Sequence, residues 1–166
     1  MPERIDTYTQ HGIATGRTIN AGEKLEAGEF YLHTIIILRT KNNEYLLQQR
    51  SFQKRYLPGC WDVTGGGVQA GEDSLRAAIR ELEEEVQLSF IESQFIFAGR
   101  IPLGENGILD MWGVCTNFTE SDCVPKAGEV DAVRLVDYET FRDTVKFNKS
   151  AVFMALLDDL HARMEK

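Results

Sequence analysis

Cysteine is scarce in this chain. The 166 residues include three, Cys60, Cys115 and Cys123, an odd number with no C-x-x-C pair. That argues against a disulfide framework. A zinc site is equally disfavoured, because the three histidines (His11, His33, His161) are scattered. Long hydrophobic runs are missing too. A membrane span needs about 20 continuous apolar residues, and no segment approaches that. The first residues, MPERIDTYTQHG, contain no basic segment followed by an apolar run, so no secretory signal is visible and a reducing cytoplasm is the expected location. Positive charge is in short supply: 18 basic residues stand against 26 acidic ones, a net charge of −8. A partner that is a nucleic-acid polymer calls for the opposite balance. No repeat, low-complexity stretch or linker divides the chain, whose length is close to the ~150 residues of an average domain. A single domain over residues 1–166 is expected.

The composition that remains is globular, with 43% hydrophobic and 27% charged residues. The acidity is concentrated. Between Glu72 and Leu88 lie six acidic residues (Glu72, Asp73, Glu81, Glu83, Glu84, Glu85) and two basic ones (Arg76, Arg80), half of the net charge in one short segment.

Periodicity supplies the elements around it. Residues 4–9 and 13–19 predict a hairpin about His11-Gly12. HTIIIL at 33–38 is a β-branched strand run, and EYLLQQR at 44–50, after the turn Lys41-Asn42-Asn43, predicts its hairpin partner. Trp61-Asp62-Val63 is a short strand leading into Thr64-Gly65-Gly66-Gly67. Beyond Gly71 the period becomes helical: Leu75, Ile79, Leu82 and Val86 form one apolar stripe on a helix from Ser74 to Val86. Residues 94–101, 108–117 and 130–136 read as strands. Asp137 caps a short helix at 138–145, and a last helix spans 149–163 with Val152, Phe153, Leu156, Leu157 and Leu160 facing inward. The expected fold is α+β, an α-β-α sandwich with a mixed β-sheet between helices.

At 100° per residue, Glu81, Glu84 and Glu85 share an arc of about 100° whose centre is about 140° from the apolar stripe. Like charges so placed destabilise a helix by a few tenths of a kcal/mol each, and a bound cation reverses that sign. Hard divalent ions take carboxylates together with substrate phosphates. Arg80, four residues before Glu84, is placed to hold it. The glycines ahead of the helix let the backbone approach a metal or phosphate closely.

From Gly66, the segment GGVQAGEDSLRAAIRELEEEVQL resembles the signature box of the Nudix hydrolases, G-x5-E-x7-R-E-U-x-E-E-x-G-U with U apolar. Gly66, Glu72, Arg80, Glu81, Glu84 and Glu85 match its fixed positions, and Leu82 and Leu88 its apolar ones, so the box spans residues 66–88. One position departs: Gln87 stands where the box has the glycine that ends the helix in a left-handed conformation. The resemblance implies the Nudix fold and Glu81, Glu84 and Glu85 as ligands of Mg²⁺ or Mn²⁺, with the Gly65 carbonyl as a further ligand. It implies supporting roles for Glu72 and Arg80. The base that takes a proton from water is Glu81 or Glu129, the latter in the Ala127-Gly128-Glu129-Val130 segment before the last predicted strand.

Residues 30–57, PGCWDVTGGG, LDMW at 109–112 and GEVDAVRLV at 128–136 resemble the Nudix branch that includes isopentenyl-diphosphate isomerases and hydrolases similar to them. That resemblance implies that Arg50 and Lys54 bind a diphosphate. The isomerase needs a cysteine just after the W-x-x strand, where this chain has Thr64, and Cys60 precedes Trp61. Hydrolysis of a small-molecule diphosphate is therefore expected, with an isomerase using another acid, or an idle diphosphate-binding module, as the alternatives. The leaving group is not legible. Trp112, Phe52, Tyr56 and Phe147 are read as core or structural side chains rather than its lining. A homodimer is the default assembly.

Overall fold

The structure is a computed structural model and describes residues 1–146 and 149–166. Phe147 lies outside the described residues. The elements in chain order are β1 (Arg4–Tyr8), β2 (Ala14–Asn20), β3 (Tyr31–Thr40), β4 (Tyr45–Arg50), β5 (Trp61–Asp62), β6 (Thr64–Gly67), α1 (Ser74–Val86), β7 (Phe95–Leu103), β8 (Gly107–Thr116), β9 (Val130–Val136), α2 (Tyr138–Val145) and α3 (Ala151–Met164). No described helix is long and apolar enough to cross a membrane.

β1 and β2 form an antiparallel hairpin of their own, joined to the start of β3 through a bridge between Tyr8 and Phe30. The larger sheet runs β5-β4-β3-β8-β7, with β6 beside β3 and β9 beside β4. It is mixed: β3 and β8 are parallel in register from Tyr31 opposite Gly107 to Thr40 opposite Thr116, and the other pairs are antiparallel.

Side chains alternate across this sheet as a pleat requires. Ile36, Leu38 and Leu46 pack on one face with Ala78, Leu82 and Val86 of α1. Ile37, Tyr45 and Leu47 pack on the other with Phe141 and Val145 of α2 and Phe153, Leu157 and Leu160 of α3. The sandwich of helix, mixed sheet and helices is the fold expected from the sequence.

Local signals place the helices well. Asp73 caps α1 by accepting from the Arg76 amide at 2.9 Å, and Asp137 caps α2 by accepting from the Thr140 amide at 2.7 Å. α1 ends at Gln87, which takes the left-handed conformation (φ 56°) in place of the box glycine.

Three expectations need correction. β3 and β4 share one paired position, Arg39 with Tyr45, instead of a full hairpin ladder. β6 occupies the edge of β3 from His33 to Ile36, so β4 diverges and pairs with β9 from Tyr45 to Arg50. The buried face of α1 is centred on Ala77, Ala78, Leu82, Glu85 and Val86, while Leu75 and Ile79 are half-buried. Small alanines allow α1 close to the sheet, which turns Glu85 inward. Val152 faces solvent on α3.

The N-terminal end of α1 is pinned to β8. The Ser74 hydroxyl donates to the fully buried Asp110 carboxylate at 2.5 Å, and Arg100 of β7 donates to both Asp110 oxygens at 2.6 and 2.8 Å. Arg100 also donates to the His11 carbonyl at 2.9 Å, tying in the N-terminal hairpin.

Candidate active site

The splaying of β4 from β3 opens the site. β6 fills the gap next to β3 with three successive glycines, and α1 runs behind it. A side chain at Gly65 would collide with the Thr34 carbonyl, so only glycine lets β6 lie this close. At Gly66 a Cβ would fall on the Glu81 carboxylate. The glycine run therefore serves two contacts at once: it seats β6 and leaves room for a helix carboxylate.

An open cleft of about 530 Å³ results. Its lining includes Glu81, Glu84, Glu85 and Arg80, the backbone of Gly65 to Gly67, and Arg50, Lys54, Lys126 and Glu129; the Lys126 amide donates to the Glu85 carbonyl at 2.9 Å. Every site residue named from the sequence lines this cleft except Glu72, which stands behind Arg80.

Glu85 is almost fully buried. Its Oε2 accepts from Gln48 Nε2 at 2.8 Å and from the Gly65 amide at 3.3 Å. Burial pushes its carboxyl up to about 7, the neighbouring Glu81 charge adds to this, and the Gln48 hydrogen bond opposes it. The sequence-based arc separated Glu85 from the core face; the structure puts it at the boundary between core and cleft. Burial also raises Glu81, against the opposing effect of Arg80.

Arg80 makes the expected ion pair with Glu84 but holds other groups more closely. It donates to Glu81 at 2.7 Å, to Glu72 at 2.6 and 3.2 Å, and to the Gly67 carbonyl at 2.9 Å. Glu84, its expected partner, is 3.5 Å away with a half-exposed side chain. The guanidinium fork suits this arrangement because it has five donors in one plane. Glu72 also accepts from the Gln69 amide at 2.7 Å, so it holds both the loop and the arginine.

In the same cleft, Lys54 is ion-paired with Glu129. The Ser51 amide donates to the Glu129 carbonyl at 2.9 Å, and Arg50 Nε donates to the Tyr56 carbonyl at 3.1 Å. Phe52 and Tyr56 are exposed, against the expectation of core or structural roles, and Tyr56 lines the cleft. Trp112 is half-buried, with its indole N–H 3.3 Å from the Ser74 hydroxyl.

Gln48, Lys126 and His33 were missed in the sequence. Gln48 left a trace: it is polar at a position of β4 that alternation directs toward α1. Its side chain bridges Thr64, which donates to it at 2.9 Å, and Glu85. Lys126 sits in a loop without periodicity and left none. Burial pushes the His33 imidazole below its usual value.

The model of the NUDIX domain matches residues 30–157. The chain belongs to the Nudix hydrolase family. A Nudix protein of Listeria monocytogenes, the uncharacterized hydrolase lmo0368, is 30% identical over 142 residues, 82% of this chain and 81% of its own length. Nudix hydrolase 3 of Arabidopsis thaliana is 32% identical over 156 residues, which are 85% of this chain and 20% of that protein. Among solved structures, DR0079 from Deinococcus radiodurans superposes with a TM-score of 0.71 at 19% identity, covering 99% of this chain and 100% of that one. An Ap4A hydrolase binary complex from C. elegans gives a TM-score of 0.61 at 22% identity, covering 81% and 98%. These structural likenesses establish the Nudix fold.

Nudix hydrolases generally use divalent cations. Among the described residues no group of three or more His, Cys, Asp or Glu is already gathered tightly enough to hold a metal ion. The reason is local: Arg80 holds Glu81, Glu84 points toward solvent, and Glu85 is engaged by Gln48 and Gly65. The donors themselves are hard oxygens, the type that Mg²⁺ prefers. Glu81, Glu84 and Glu85 line one cleft with the Gly65 backbone, and the Glu81 charge adds to the raised Glu85 carboxyl, so a cation there would offset their repulsion.

Proposed function

We propose that the protein is a Mg²⁺- or Mn²⁺-dependent hydrolase of an organic diphosphate, such as a nucleoside diphosphate derivative. The observation that carries this reading is one cleft that gathers both carboxylates with glycine backbone and the basic side chains Arg50, Lys54 and Lys126. A diphosphate bound with a cation matches both sets of charges at once.

Glu81, Glu84, Glu85 and the Gly65 carbonyl are the residues that would hold the ion. When bound, it supplies charge neutralisation and Lewis-acid polarisation of a phosphoryl oxygen and of water. Arg80 positions Glu81, and Glu72 positions Arg80. Arg50, Lys54 and Lys126, which line the same cleft, offset the charge of the substrate. Glu81 or Glu129 takes the proton from the attacking water. The oxygen of water forms the new bond to phosphorus, the P–O–P linkage breaks, and the second phosphoryl group leaves as a monophosphate. Thr64, buried and hydrogen-bonded to Gln48, stands where an isomerase of this branch has its proton-transferring cysteine, which favours hydrolysis over isomerisation.

The test is Mg²⁺-dependent release of phosphate or monophosphate from a panel of diphosphates. Wild type should turn over at least one of them. Glu84→Gln and Glu85→Gln should abolish turnover while circular dichroism shows a folded protein. Equal inertness of wild type and variants across the panel would overturn the reading, and double-bond migration without hydrolysis would point to the isomerase.

A further inference from the structure

Three buried polar side chains from three elements form one chain of hydrogen bonds beneath the cleft. Gln48 of β4, Thr64 of β6 and Glu85 of α1 are each less than a tenth exposed. The Thr64 hydroxyl donates to Gln48 Oε1 at 2.9 Å, and Gln48 Nε2 donates to Glu85 Oε2 at 2.8 Å. The chain crosses the gap that opens where β4 leaves β3 and β6 takes its edge.

A buried amide at position 48 needs a reason. It follows Tyr45, Leu46 and Leu47, all buried, and alternation puts it on the α1 face with Leu46. An apolar side chain would fill that place without the cost of removing an amide from water, which only hydrogen bonds at both ends offset. Gln48 has both, and the direction of the chain matters. An amide can turn either its NH₂ or its oxygen toward Glu85. The Thr64 hydroxyl donates to the oxygen and so directs the NH₂ to the carboxylate; turned over, Gln48 would set oxygen against oxygen. Among the described residues the Thr64 hydroxyl has no other hydrogen-bond partner.

The Gly65 amide, next in the chain to Thr64, donates to the same Glu85 Oε2 at 3.3 Å. Two donors therefore converge on one oxygen of Glu85. Among the described residues no donor reaches the other, Oε1. Glu85 lines the cleft together with Glu81 and Glu84.

We propose that Gln48 and Thr64 are positioning residues for the cation, a role that rests on the metal-dependent reading above. They hold Glu85 by Oε2 and leave Oε1 as the oxygen it offers to the ion. Thr64 acts through Gln48 alone, by fixing which end of the amide meets the carboxylate. Groups that orient a ligating carboxylate in this way typically change metal affinity by about 10- to 100-fold when removed.

The test is Mn²⁺ affinity of the substrate-free protein, read from the paramagnetic resonance of the free ion, with a thermal melt of each variant. Glu85→Gln sets the scale for loss of the ligand itself. Thr64→Val keeps the shape of the side chain without its donor and should weaken Mn²⁺ binding by about tenfold or more. Thr64→Ser keeps the hydroxyl and should stay within about threefold of wild type. Gln48→Met should lose at least as much as Thr64→Val. In the Gln48→Met background, Thr64→Val should then change affinity by less than about twofold, because its route to Glu85 is gone. The proposal falls if Thr64→Val binds Mn²⁺ like wild type, if Thr64→Ser loses as much as Thr64→Val, or if the Thr64→Val loss is undiminished beside Gln48→Met. In each of those cases the metal-dependent reading stands as long as Glu85→Gln weakens binding. If wild type does not bind Mn²⁺, that reading falls and the proposal falls with it. The comparison of Thr64→Val with Thr64→Ser decides the matter where Gln48→Met does not fold.

Discussion

Gly66 and the Glu81 carboxylate are so close that a methyl group at position 66 would occupy the space of Glu81 Oε1. The backbone at Gly66 is not in the left-handed region, so the constraint there is steric alone. Gly66→Ala should therefore fold, with a melting temperature near that of wild type. The displaced carboxylate should lower turnover by about 100-fold, the scale expected for a misplacement of about 1 Å. Parallel thermal melts and diphosphate assays check this, and unchanged turnover would show that Glu81 is not held where the chemistry needs it.

Arg80 joins Glu72, Glu81 and the Gly67 carbonyl through one planar group. Arg80→Ala leaves two largely buried carboxylates without their partner and should destabilise the fold by about 3 kcal/mol. Arg80→Lys keeps the charge but not the fork. It should be the milder change in stability yet weaken Mg²⁺ binding by about 10-fold or more, because the carboxylates lose their orientation. Urea titration and metal binding by calorimetry separate the two effects.

Gln87 takes the left-handed conformation at the end of α1. A residue with a Cβ is strained there, and glycine is not. Gln87→Gly should stabilise the protein by about 1 kcal/mol, read as a higher urea midpoint with an unchanged slope.

Asp158 on α3 accepts hydrogen bonds from Arg142 at 2.7 and 2.9 Å and from the Tyr138 hydroxyl at 2.7 Å. The Arg142 guanidinium first, and Tyr138 after it, hold its carboxyl down at about 2, against 3.8 ordinarily. A depressed folded value means stability present above about pH 4 and lost as the pH falls toward 2. Asp158 is half-exposed, so solvent limits the contribution to about 1 kcal/mol or less. Asp158→Asn should be less stable than wild type by that small amount at pH 6, and the difference should vanish near pH 2. A gap that persists at pH 2 would assign the effect to packing.

The legible parts of the fold share a property. The bounds of α1, the Asp137 cap of α2 and strand β9 follow from periods and caps within a dozen residues, and each stands where the pattern placed it. The expected β3–β4 hairpin forms but is paired only at its turn end, because a third segment, β6, took the rest of the strand edge, and a local pattern does not register such competition. At the site, the sequence named the carboxylates and the glycines. It did not foresee how deeply Glu85 is buried, or that Arg80 holds Glu72 and Glu81 more closely than Glu84, because both depend on how α1 packs against the sheet and the loop before it.

By itself, then, the sequence determined the family, the helix that carries the glutamates, and the chemistry those residue types imply. Spacing along one helix and the glycines before it suffice for that. The tertiary structure alone decided that Gln48 meets Glu85, that Lys54 pairs with Glu129, and that the Thr64 hydroxyl meets Gln48. Each of these joins residues from separate elements, and their proximity depends on which strand edges pair and how closely α1 packs.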